Sequence, residues 1–141
     1  MSRGELLRFY AVGVAGILIT LIATTALWAH DHSRPDLDNW FPSLTSNNGR
    51  CCDGPQTDAL HLSDVDWETQ DKGSSHFRVR IPTNGTDFQR AMKGETVTTE
   101  WVDVPDGAIV QEHNKAGVTL VWPLYGYMGN SVRCFMPGPM A

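Results

Sequence analysis

The chain is poor in positive charge: 11 lysine and arginine side chains stand against 16 aspartate and glutamate in 141 residues, a net charge of −5. Affinity for nucleic acid rests mainly on Lys and Arg neutralising phosphates, so this shortage argues against a nucleic-acid binder. Also missing are a G-x-S-x-G nucleophile elbow, an H-E-x-x-H zinc helix and a Gly-rich phosphate loop, which leaves no motif for the common hydrolases and nucleotide enzymes. There is no C-x-x-C to support a thioredoxin-type redox site. No pair of ligand doublets has the spacing of structural zinc. Internal repeats and low-complexity tracts are absent, and the length suits one domain rather than several.

What is present begins with a long apolar run. Arg3 and Arg8 flank a polar start, after which Phe9 to Ala29 carries no charge. About 20 apolar residues exceed the ~7–15 of an ordinary signal core and are enough to span a bilayer as a helix. Residues 1–29 therefore read as an export signal with two possible fates. Removal would follow Ala26 or Ala29, neither of which offers a clean A-x-A site, and retention would leave an anchor with Trp28 at the interface. Either way Arg3 and Arg8 stay in the cytoplasm and the chain from His30 onward lies outside the inner membrane. That part has 112 residues with 9 basic and 15 acidic side chains.

Residues 30–35 read as a linker and 36–141 as the working domain. Leu37, Trp40, Phe41 and Leu44 recur at helical spacing, which predicts a short amphipathic helix capped by Asp36 or Asp38, with Pro42 in its first turn. Beyond Pro55 the period becomes two. Strands are predicted over 64–69, with Val65 and Trp67 inward, and over 76–81, with Phe77, Val79 and Ile81 inward. Placing Trp67 opposite Val79 sets Glu68 against Arg78 and Asp66 against Arg80. Residues 82–95 predict a loop with one helical turn. Further strands follow over 97–104, 118–124 and 131–136, the fourth buried on both faces because Val121 is apolar too. In the last, Val132, Cys134 and Met136 share one side. The fold class expected is mainly β: a small five-stranded antiparallel sheet or partly open barrel with one short N-terminal helix, preceded by the hydrophobic signal or anchor helix.

Three cysteines carry the chemistry. Outside the cytoplasm Cys134 is expected to pair across more than 80 residues, with Cys52 favoured and Cys51 the alternative. A metal reading competes. A chain beginning His30-Asp31-His32 would offer an amine, two amides and an imidazole in a square plane for Cu(II) or Ni(II), and Cys134, Met136 and Met140 add soft sulfur donors for Cu(I). Cys51 or Cys52 with His61, His76 or His113 is a nucleophile–base combination that any such composition would offer, so no catalytic residue is assigned. Trp40, Trp67, Trp101 and Trp122 read as core packing before a ligand groove.

The pattern Trp40-Phe41-x-x-Leu44, Gly49-x-Cys51-Cys52-Asp53, Phe77-Arg78-Val79-Arg80-Ile81, Glu100-Trp101-Val102-Asp103-Val104-Pro105, Val121-Trp122 and Arg133-Cys134-Phe135-Met136-Pro137-Gly138 resembles a family of small exported proteins of proteobacterial type without an established activity. Relative to it, residues 82–98 look like an insertion. The resemblance implies an exported domain and leaves activity open. The expectation is a non-enzymatic cell-envelope module, periplasmic or anchored to the inner membrane, which binds an envelope protein or small ligand through the 82–98 loop and needs no cofactor. The alternative is a periplasmic copper-handling protein.

Overall fold

The computed structural model describes residues 34–54 and 57–139 of the protein. The apolar stretch of residues 9–29, most of the linker, His30, His32 and Met140 lie outside them. Among the described residues no helix is long and apolar enough to cross a membrane.

The chain enters through two 3-10 turns, Pro35–Leu37 and Phe41–Ser43, each with a proline in its first two positions. Leu37, Trp40, Phe41 and Leu44 are all buried, so the apolar stripe faces inward as expected. The continuous helix expected there does not form. Pro42 has no N–H to donate back to Asp38, and the i→i−4 ladder cannot pass it.

Eight strands and one α-helix follow. They are β1 (Thr45–Ser46), β2 (Gly49–Arg50), β3 (Leu60–Leu62), β4 (Trp67–Lys72), β5 (Ser75–Pro82), α1 (Gly85–Ala91), β6 (Thr99–Val104), β7 (Thr119–Leu124) and β8 (Ser131–Met136). Among the described residues they form three antiparallel sheets, β1-β2, β3-β7-β8 and β4-β5-β6, rather than one five-stranded sheet or barrel. The mainly β class holds, and the single-sheet expectation is corrected. Its failure has a physical cause: β7 is central between β3 and β8 and buries both faces, so a second sheet is needed to cover one of them.

Two cores flank the β3-β7-β8 layer. On one side Leu120, Trp122, Cys134 and Met136 meet the turns carrying Leu37, Trp40, Phe41 and Leu44. On the other, Val121, Val132 and Phe135 meet Val79, Ile81 and Val104 of the β4-β5-β6 sheet. The pairing of Trp67 with Val79 and Glu68 with Arg78 is as predicted, and Arg80 bonds Asp66 through both its backbone and its guanidinium. Strand β4 starts later than expected, at Trp67, which leaves Val65 72% exposed instead of inward. The 82–98 segment holds more helix than expected: α1 is capped by Asn84, whose side chain accepts from the Asp87 N–H at 2.9 Å, and it buries Phe88.

In β8 the alternation is interrupted. Trp122 pairs with Cys134, yet Pro123 pairs with Val132, so Arg133 is an extra, bulged residue. Pro123 cannot donate to the ladder, and a bulge is where a central strand tolerates that. The consequence is that Val132 turns to the Phe135 side, away from Cys134 and Met136. Ser46 Oγ donates to the Arg133 carbonyl at 2.8 Å, so the bulge's carbonyl is satisfied by the β1-β2 hairpin.

Candidate functional site

The segment from Tyr125 to Asn130 joins β7 to β8 and carries two large apolar side chains that nothing covers: Tyr127 and Met128 are each about 100% exposed. Gly129 closes the turn at φ +107, its N–H donating to Gly126 O at 3.1 Å. Behind the tip, Asn130 donates to Thr83 O at 2.8 Å and to the Glu100 carboxylate, which ties the hairpin to the chain entering α1. Phe88 of α1 meets Tyr125 edge-on at 6.4 Å. These contacts leave a hollow of about 550 Å³ lined by Thr83, Asn84, Tyr125, Gly126, Tyr127 and Asn130.

Tyr125 borders that hollow. Its hydroxyl is buried with no hydrogen-bond partner among the described residues. Burial, and then the negative charges of Glu100 and Asp87, push the phenol well above its ordinary value, so it is a neutral O–H. A buried hydroxyl left unpaired costs on the order of 1–3 kcal/mol. The arrangement offers a pinned tip and two exposed apolar contacts.

A second cleft, of about 530 Å³, lies between the 109–117 loop and the 136–139 tail, with Glu112, His113 and Met136 in its wall. Asn114 builds it by donating to Val118 O at 2.8 Å and Pro137 O at 3.0 Å. Trp40 Nε1 donates to Glu112 at 2.8 Å. Of the proposed sulfur ligands, Cys134 is taken by a disulfide and Met136 is buried beside it. Among the described residues no three His, Cys, Asp or Glu side chains are grouped to hold a metal ion. His76, one of the candidate bases, bonds Asp106 at 2.7 Å instead; that hydrogen bond raises its pKa.

The disulfide joins Cys51 to Cys134, not the favoured Cys52. Cys51 is fully buried at the end of the β1-β2 hairpin, its N–H donating to Leu44 O at 3.0 Å, and this draws its side chain into the core. Cys52 packs at the margin of the same core, its thiol donating to Phe41 O at 3.4 Å. Burial, then Asp53 and Asp58, push that thiol up to about 12.

The solvent face of the β4-β5-β6 sheet is charge-compensated. Arg78 lies 4.5 Å over the Trp101 ring and 3.4 Å from Glu68, and Lys72 meets Asp103. Burial alone would raise Asp66, but hydrogen bonds from Ser63 and Arg80 outweigh it and hold the carboxyl low. Trp40 and Trp122 are core, as expected, whereas Trp101 is 37% exposed.

Sequence reasoning missed Tyr125, Tyr127, Met128 and Asn130. A signal was there: Tyr125-Gly126-Tyr127-Met128-Gly129 places three large apolar side chains in a turn, where polar residues are the rule. No protein-family model, curated protein or solved structure matches the chain.

Proposed function

We propose that this chain is a non-enzymatic binding module of the cell envelope, working outside the inner membrane. Its contact surface is the β7-β8 tip with the adjoining start of the 82–98 segment. The observation that carries the reading is the complete exposure of Tyr127 and Met128 on a tip held in place from behind. Large apolar side chains exposed together on a surface mark interaction sites, and tyrosine is among the residues that dominate binding energy at interfaces. Three features support the compartment: the charge-free stretch of residues 9–29, the disulfide, and the likeness of the motifs to small exported proteins.

The test is photo-crosslinking in intact cells from a reactive amino acid placed at position 127, with position 93 on the far end of α1 as the control. A discrete adduct from 127 that disappears on Met128→Ser supports the reading. Equal adduct patterns from both positions, or none from 127, overturn it.

A further inference from the structure

Two motifs singled out in the sequence, Cys51-Cys52-Asp53-Gly54 and Arg133-Cys134, meet in the structure at a place the proposed binding surface does not use. The disulfide joins them on the core side. On the outer side the Arg133 guanidinium lies against Gly54: a Cβ at that glycine would stand 2.8 Å from Nη2. Gly54 has φ +100, a conformation open to glycine, so the turn presents bare backbone to the guanidinium.

Among the described arginines Arg133 alone combines two features: it holds no carboxylate, which it shares with Arg50, and its buried Nε has no hydrogen-bond partner, which it shares with Arg78. Arg34, Arg78, Arg80 and Arg90 each hold a carboxylate, Asp36, Glu68, Asp66 and Glu95 respectively. Arg133 holds none, although Asp53 is in the facing turn, and its Nε is buried with no hydrogen-bond partner among the described residues. Its backbone is held on both sides. Arg133 projects from the bulge opposite Pro123, its own carbonyl is fixed by Ser46, and the residue after it is bridged to Cys51. A guanidinium offers donors in a planar fork that fits two oxygens of one oxyanion. Bulges re-aim side chains in this way beside functional sites.

We infer that Arg133, set against the Gly54 turn, is the anchor of an oxyanion-binding site that takes a carboxylate or phosphate group through the guanidinium fork. The site is independent of the β7-β8 tip, and neither reading needs the other.

The experiment follows the arginine Nε–Hε resonances of the oxidised full-length chain during separate titrations with inorganic phosphate and with acetate at constant ionic strength. A saturable shift of the Arg133 resonance, at least threefold larger than that of Arg78, Arg80 or Arg90, is expected. Response to phosphate alone assigns a phosphate site, and response to acetate assigns a carboxylate site. Arg133→Lys keeps the charge but loses the fork, and phosphate-dependent or acetate-dependent thermal stabilisation should fall at least threefold in it. Gly54→Ala, which places a methyl against the guanidinium, should weaken the response in the same direction with the disulfide still formed. No saturable shift with either oxyanion, shifts of equal size on all the arginines, or undiminished stabilisation of Arg133→Lys overturns the assignment.

Discussion

Cys52 shows how one residue's neighbours set its chemistry. It is adjacent to a cysteine that forms a bridge, yet its own thiol faces the Phe41 carbonyl and two nearby carboxylates. With its pKa pushed up to about 12, the thiolate fraction at pH 8 is roughly a thousandfold below that of an unperturbed thiol. Iodoacetamide should therefore modify Cys52 at least a hundredfold more slowly in the native chain than in urea, as followed by intact mass. Comparable rates would contradict the buried environment. The same shift has a stability consequence of definite sign. The native state holds this proton more tightly than the unfolded chain, so the contribution is intact below about pH 9 and falls away as pH rises toward 12. That one cysteine would be left over was legible in the sequence. Which one was not, because the two are adjacent and pack against the same core, so neither spacing nor polarity separates them.

Elements were legible where a period ran uninterrupted and illegible where a single residue broke it. The alternation of Phe77, Val79 and Ile81 predicted β5, and cross-strand charge predicted its register with β4. The stripe Leu37, Trp40, Phe41, Leu44 predicted burial correctly but not a helix, since Pro42 vetoes the ladder without disturbing the spacing. Pro123 does the same in β7, where it is accommodated by the bulge at Arg133. Strand β3 went unread because three residues carry too little alternation to register. Helix α1 is the element most exposed to a local change, being seven residues long and held by its Asn84 cap and by Phe88. Replacing Asn84 with Ala should cost about 1 kcal/mol of stability, measured by urea denaturation. Because Asn84 also lines the hollow behind Tyr127, the same variant should weaken the crosslinks formed from position 127.

At the scale of the whole molecule, what sequence could not supply was the order of layers. Strand faces were readable, but β3 pairs with β7 across almost 60 intervening residues, and no periodicity encodes that choice. The resulting stack has the β3-β7-β8 sheet in the middle, with the 3-10 turns on one side and the β4-β5-β6 sheet on the other. The bridge fastens the first of these layers to the middle one across a sequence separation of 83 residues. On the chain-entropy model, closing such a loop contributes about 4–5 kcal/mol. Cys51→Ser should remove most of that, seen as a lowered urea midpoint. Hydrogen exchange in the same variant should quicken first in residues 35–51, while β5 keeps its protection; uniform quickening would mean the layers do not separate in this way.

Strand β8 lies late in the chain and serves both cores, supplying Cys134 and Met136 to one and Val132 and Phe135 to the other. During synthesis neither core can close, and the bridge cannot form, until β8 has been made. Until then Cys51 and Cys52 wait side by side without Cys134, in a chain whose strands β4 to β6 already present one apolar face. Maturation is thus close to all-or-nothing. A chain interrupted before Ser131 would leave that face uncovered and Cys51 without its partner.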